Sequence, residues 1–200
     1  MMEKQFIITV GREYGSGGHV IAEKIANHYD IPLYDNNILE FVAVEKDVDS
    51  ASLRAYDEVP RVRLFSRKVK GQSNSMEENV ANLQFDYMRR MADEGKSFVV
   101  VGRCAENVLK DYKCHISFFV NGEFEAKRDR IMKIFNMSPE SAEAKIESEN
   151  YRRKMYHNYY CKGKWGDSRN YDLSISSTPL GIDGTADVLI KYIDERIKNF

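Results

Sequence analysis

The stretch "ITVGREYGSGGHVIAEKIA", Ile8 to Ala26, carries the strongest fold signal in this chain. An apolar run enters a turn containing Gly15, Gly17 and Gly18. It leaves as a segment in which Val20, Ile21, Lys24, Ile25 and His28 follow the 3.6-residue period. A strand opening into a helix leaves unpaired backbone N–H groups and the positive end of the helix dipole at the turn, which suits phosphate. The glycines let the backbone approach closely and take positive φ. Yet Gly18 and His19 stand where a phosphate-binding loop carries Lys and then Ser or Thr. The lysine charge on the outer phosphates and the hydroxyl for magnesium are both missing from their usual places. The stretch is either a phosphate site with altered chemistry or a turn that packs a helix against a strand.

Further apolar runs predict strands at Pro32–Tyr34, Phe98–Val101, Ile116–Val120 and Leu173–Ile175, beside Phe6–Val10. "FVVV" and "FIITV" do not alternate with polar residues, as befits parallel strands covered on both faces. Helical patterns separate them: Val80, Leu83, Tyr87 and Met91 within Glu77–Glu94, and Val188, Leu189, Tyr192, Ile193 and Ile197 near the end. This alternation predicts a three-layer α/β domain with a parallel sheet. Two regions break the rhythm. Residues from about 45 to 76 are charged, contain Pro60 and run into the polar loop signal Lys68–Ser75. Residues from about 136 to 170 are charged and tyrosine-rich, and open with a helix start at Ser138 and Pro139. Both lie between strands, as mobile lids over a nucleotide site do.

Composition narrows the function classes. Thirty basic residues against thirty-one acidic give a net charge of −1, so no global field draws the chain to nucleic acid or to a membrane. Any anion site must come from local clustering. No apolar stretch approaches the ~18 residues that span a bilayer, and Phe6–Val10 follows the N-terminus without a signal-peptide layout. The layout predicts a cytoplasmic protein. Cys104, Cys114 and Cys161 form no CxxC pair and no zinc spacing with His19, His28, His115 or His157, so they read as reduced thiols and no metal ligands are assigned. The helix Glu77–Glu94 either pairs with a second subunit, giving a homodimer, or packs internally.

Charge clusters where the strands end. "FVVVGRCAENVL" puts Gly102 and Arg103 at the C-terminal end of a strand, the edge where open α/β sheets bind ligands. "EAKRDRIMK" carries Arg128 and Arg130, and "NYRRKMYHNYY" carries Arg152 and Arg153. Taken together, the glycine loop, "YDNN", "VVGRCAENVL", the arginine helix and "KWGDSRNYDLSISS" resemble the cytidylate kinase-like family, relatives of bacterial cytidylate kinase among the P-loop nucleoside monophosphate kinases. The resemblance spans Gln5 to about Ile197. It implies a single P-loop kinase-like domain over residues 1–200 with five parallel strands, a helical NMP-binding insertion at about 36–95 and an arginine-rich lid at about 136–170. It implies ATP, with Mg2+ if the protein is active, and CMP, dCMP or a similar small molecule as acceptor. Gly15, Ser16, Gly17, Gly18 and His19 then bind phosphate, Asp35 and Arg103 meet the acceptor, and Arg128, Arg130 and Arg153 surround the transferring group. Asp172 falls near the Asp that ends the lid, or is a turn residue.

The departures are local. Arg12 replaces the first glycine of the loop motif, Gly18 its lysine and His19 its Ser or Thr, while Asn150 stands where relatives often have an acid. Phosphoryl transfer rests on positioning and charge stabilisation, so these losses favour a rival reading as a nucleotide sensor without turnover, or as a kinase of another small molecule. Arg12 is the nearest cation able to replace the lysine, with Ser16 as a substitute hydroxyl. The alternative pairs Arg12 with an acid such as Glu13 or Asp35. A lysine restored at position 18 is expected to leave nucleotide binding intact.

Overall fold

The computed structural model describes residues 4–46, 49–59, 68–69, 72–73 and 75–200. In chain order the elements are β1 (Ile7–Arg12), α1 (Gly18–Tyr29), β2 (Leu33–Tyr34), α2 (Ile38–Lys46), α3 (Ser50–Arg54), β3 (Lys68–Val69), β4 (Gln72–Ser73) and α4 (Met76–Asp93). They continue with β5 (Phe98–Val101), α5 (Ala105–Val108), β6 (His115–Asn121), α6 (Phe124–Phe135), α7 (Pro139–Tyr160), β7 (Leu173–Ser176) and α8 (Gly181–Lys198). Five strands form one parallel sheet in the order β2-β5-β1-β6-β7. The apolar runs predicted these strands closely. Inside the polar stretch Lys68–Ser75, β3 and β4 pair as a short antiparallel ladder; Pro60 lies outside the described residues.

Period-two alternation splits the core into two layers. Ile8, Val10, Val99, Val101, Ile116, Phe118 and Val120 face α1 and α8, where Ile21, Ile25, Leu189 and Ile193 are buried. Ile7, Phe98 and Val100 face the other way, against Leu39, Val80, Met88 and Leu109. Each fully buried side chain of this size is worth roughly 1.5–3 kcal/mol, so the sheet is held from both faces. The helix Glu77–Glu94 of the sequence is α4, and its apolar side is spent inside the protein: Val80, Phe85, Tyr87 and Met88 are buried. Among the described residues no helix is long and apolar enough to cross a membrane.

The second insertion folds as its start signal predicts. Ser138 caps α7 by accepting from the Ser141 N–H, and Pro139 takes the first turn. Ile131 of α6 packs with Ala142 and Ile146 of α7 in a small separate core. The tyrosines and Trp165 are packing groups: Trp165 meets Phe119 edge-on at 5.4 Å between centroids, and Tyr156 packs on Tyr160 at 4.9 Å. Asp172 is a pin. It accepts from the backbone N–H and hydroxyl of Ser117 at 2.8 and 3.0 Å and pairs with Arg196 of α8 at 2.7 Å.

A buried histidine makes this sheet acid-sensitive. His115 Nε2 lies 2.8 Å from Thr9 Oγ1 between β1 and β6. Burial pushes its imidazole down to about 4, although Asp172 and Glu106 pull the other way and Arg196 adds to the fall. The unfolded chain takes up this proton below about pH 6.5 and the folded chain does not. Stability therefore falls as pH drops from about 6.5 to about 4, by roughly 3 kcal/mol at 1.36 kcal/mol per pKa unit. Urea titrations across that window should show the slope in the native chain and its loss in His115→Gln.

Candidate functional site

The glycine loop leaves the central strand β1 and turns into α1. Gly15 and Gly17 take φ of 81° and 80°, values that side-chain-bearing residues rarely adopt. Gly17 is the N-cap and offers no side chain to the first turn of α1, so the N–H groups of that turn after Gly18 are left for an anion. Ser16 supplies no free hydroxyl: fully buried, its Oγ donates to the Glu13 carbonyl at 2.8 Å and accepts from the Gly18 N–H at 3.3 Å. The loop thus fits the phosphates of ATP, while its one hydroxyl is engaged and does not fit as a magnesium ligand.

Gly18 is required for space. A Cβ there would stand 2.6 Å from Arg12 Cβ and 3.3 Å from Arg12 Cγ. The two departures from the loop motif are therefore one event. The side chain of Arg12 fills the room beside α1 that a side chain at position 18 would need. Its guanidinium then runs away from the loop to Gly102 and to Glu58, with Nη1 3.6 Å from Glu58 Oε1. Neither Glu13 nor Asp35 is its partner; Glu13 holds Lys127 instead, at 2.6 Å. Gly18→Lys alone should destabilise the protein by about 1–3 kcal/mol, the range for overpacking. Arg12→Gly with Gly18→Lys should recover most of that loss. Thermal denaturation of the two single variants and the double variant measures this coupling.

Arg12 joins a buried arginine cluster at the C-terminal edge of the sheet. After β5 the backbone passes through Gly102, Arg103 and Cys104 with φ of 76°, 54° and 56°. The two non-glycine residues carry strain of order 1–3 kcal/mol each, which is kept where the surroundings fix it. This turn drives the Arg103 side chain inward, where Nη2 meets Asp57 Oδ2 at 2.5 Å and Nη1 meets Glu58 Oε1 at 3.5 Å. From α7, Arg152 Nη2 lies 3.7 Å from Glu58 Oε2 and 2.8 Å from Glu149. Arg153 donates to the Arg12 carbonyl at 3.3 Å and stacks over Tyr14 at 5.3 Å. A cavity of about 20 Å3, room for about one water, lies among Gly11, Arg12, Glu58, Arg103, Arg153 and Tyr156.

The electrostatics are those of an anion site already holding two internal carboxylates, Asp57 and Glu58. Burial would raise the Glu58 carboxyl, but Arg103, Arg12, Arg153 and Arg152 hold it down at about 2. Arg103 is raised by Glu58 and Asp57 against the effect of its own burial. Arg12 is lowered, because burial outweighs its pairing with Glu58. Burial, with Arg12 adding to it, pushes Arg153 down to about 9. Arg153 Nε is buried without a hydrogen-bond partner, and among the described residues Arg153 forms no ion pair.

The remaining sequence candidates are spread around this centre. Arg130 of α6 donates to the Gly15 carbonyl and so lies on the glycine loop. Arg128 is turned to Asp129 and Glu143, both near 3.3 Å or closer, and belongs to the contact between α6 and α7. Asp35 exchanges hydrogen bonds with Asn37 at 2.9 and 3.0 Å and lies 3.7 Å from His19 Nδ1. Asn150 docks α7 on the loop, where its Oδ1 accepts from the Tyr14 N–H at 2.7 Å. Asp57 and Glu58, central to the site, gave no local signal in a segment that reads only as charged.

The sheet order, with β1 in the middle and its loop running into α1, is that of the P-loop kinases. Shikimate kinases from Bacteroides thetaiotaomicron and Acinetobacter baumannii, the latter in complex with shikimate, share this fold at 10% and 11% identity, with TM-scores of 0.54 and 0.53. Those matches cover 94% and 96% of this chain and 98% and 95% of theirs. The chain belongs to the cytidylate kinase-like family, whose model matches residues 7–179. It is similar, at 38% identity and a TM-score of 0.76, to the crystal structure of an uncharacterized protein from Eubacterium ventriosum, over 95% of this chain and 99% of that one. A comparison with curated proteins gives no match.

Proposed function

We propose that this protein is a phosphotransferase that moves the γ-phosphoryl group of ATP to CMP, dCMP or a similarly small anionic acceptor. The observation that carries this reading is the cluster of Arg12, Arg103 and Arg153 beside the glycine loop, with the half-exposed Arg152 at its edge, balanced chiefly by Glu58 and Asp57. Such a cluster is stable when a further anion joins it.

In this reading the backbone N–H groups of Gly15–His19 bind the phosphates of ATP, and Mg2+ arrives with the nucleotide. Arg130, on the loop, and Arg12 and Arg153, beside it, stabilise charge on the moving group. Arg103 holds the acceptor's anion, with Asp35 at the mouth of the acceptor insertion, residues 36–95. The region 136–170 acts as the lid, already docked through Asn150 and Arg153. Arg128 is tied to Glu143 and joins only when α7 shifts.

The engaged hydroxyl of Ser16 and the lysine-free loop favour one rival, a nucleotide sensor. A coupled ADP-release assay across nucleoside monophosphates and small hydroxylated acids, run beside calorimetric ATP titration, separates the two. Release with one acceptor class supports the kinase. ATP binding without release from any acceptor supports the sensor.

A further inference from the structure

We propose that Glu106, His157, Cys161 and Cys104 form a zinc site at the foot of α7. The cluster adjoins the arginine site, whose cavity Cys104, Glu106 and His157 also line, and none of its members is assigned a part in the phosphoryl chemistry described above. Sequence spacing hides it, because one pair, Cys104 and Glu106, comes from the turn after β5 and from α5, and the other, His157 and Cys161, from the end of α7, more than 50 positions away. Folding brings one ligand atom each from Glu106, His157 and Cys161 within 4.8 Å of one another, and all three residues are buried. The Cys104 thiol is buried next to Cys161 and in hydrogen-bonding reach of it, but it stands outside the three atoms gathered within 4.8 Å and has to turn toward them to complete a fourfold set.

The chemistry of this donor set selects the metal. Two thiols, an imidazole and a carboxylate suit Zn2+, which is bound tetrahedrally by Cys, His and Asp or Glu. Tetrahedral ligand atoms around zinc stand about 3.3–3.8 Å apart, given bonds of roughly 2.0–2.3 Å. Cys161 Sγ is 3.9 Å from Glu106 Oε1, close to that spacing, and His157 Nε2 is 2.6 Å from the same oxygen and has only to part from it.

The outer groups are also in place. His157 Nδ1 faces Asn158 Oδ1 at 3.4 Å, which leaves Nε2 to the metal, and Asn158 is itself fixed by the Trp165 N–H at 2.9 Å. A histidine ligand oriented by a partner on its second nitrogen is the usual arrangement. An adjoining cavity of about 190 Å3, lined by Glu106, Lys110, His157, Cys161 and Asn170, gives the ion a path in. Binding exchanges the Glu106–His157 hydrogen bond and two thiol S–H bonds for four bonds to Zn2+; the two thiol protons and the Nε2 proton that His157 gives to Glu106 all leave their ligand atoms for solvent. The bound ion ties the end of α7 to the turn that carries Arg103. It would fix the base of the lid helix.

The test is titration of metal-free, reduced full-length chain with Co2+, a spectroscopic substitute for zinc, followed by competition with Zn2+. One Co2+ per chain is expected, with a thiolate-to-cobalt charge-transfer band and visible bands of tetrahedral intensity, both abolished by Zn2+. Cys161→Ser should weaken the charge-transfer band and the affinity, and Cys104→Ser with Cys161→Ser should lose the band altogether. Asn158→Ala, which removes only the orienting group, should weaken binding by roughly 10–100-fold. Should Cys161→Ser fail to fold, thiol labelling of the native chain decides: Zn2+ should protect Cys104 and Cys161 and leave Cys114 unchanged. The proposal is overturned by absence of the band in the native chain, by wild-type titration in Cys161→Ser, or by equal labelling of all three thiols with and without Zn2+. A Cys104–Cys161 disulfide that forms in preference to metal binding also overturns it.

Discussion

Replacing Arg103 by methionine is expected to cost about 3–5 kcal/mol of stability, the penalty for leaving buried carboxylates without their cation. Arg103 is 5% exposed, and its guanidinium is shared between Asp57 and Glu58. Asp57 keeps only the amide of Gln84, at 3.0 Å, as its other close partner. Glu58 is left with the more distant Arg12 and Arg152. Methionine fills similar volume, so the loss reports charge in place of a cavity. Neutralising the acids as well, with Asp57→Asn and Glu58→Gln in the same chain, should restore most of the loss. Urea unfolding with an unchanged slope measures both steps. A cost below about 1 kcal/mol would mean that water reaches these carboxylates and that the cluster is an ordinary surface network.

Arg153→Ala should do the reverse, sparing the fold and removing the chemistry. Its guanidinium has no ion pair among the described residues, its Nε is unpartnered, and it is repelled by Arg12. Losing it relieves that repulsion and forfeits a cation–π contact with Tyr14 worth about 0.5–1 kcal/mol, so stability should change by less than about 1 kcal/mol. If the protein transfers phosphoryl groups as proposed, an arginine held short of an anion is the one that completes its bonding in the transition state. Its removal should then lower kcat by about 10²–10³, the scale for losing one preorganised donor, with a smaller effect on KM. Arg128→Ala is the control, because Arg128 is committed to Glu143 and Asp129. Equal losses in the two variants would place the catalytic charge elsewhere.

Local pattern along the chain was enough for the five strands of the main sheet, for the long helices and for the loop, and it marked neither α2, α3 and α5 nor the β3–β4 ladder. Continuous apolar runs marked buried parallel strands, 3.6-residue periodicity marked the helices on their faces, Ser138-Pro139 marked a helix start, and the glycines marked the turn at the end of β1. Each of these is a property of neighbouring residues, because strand pleat, helix pitch and positive φ are set within a few peptide units. The same reading marked Arg103 as lying at a strand end and the departures at positions 12 and 18. Their meaning came from packing across the chain. Arg12 and Gly18 share one space, which no spacing rule shows. Glu58 became the anion of the arginine cluster because a distant insertion folds over β5 and buries it where its charge must be paired. The same packing, and no sequence pattern, brings Cys104, Glu106, His157 and Cys161 together. Charge pairing and ligand geometry act through space at a few ångströms, and residues more than 50 positions apart reach that range only once the core has closed.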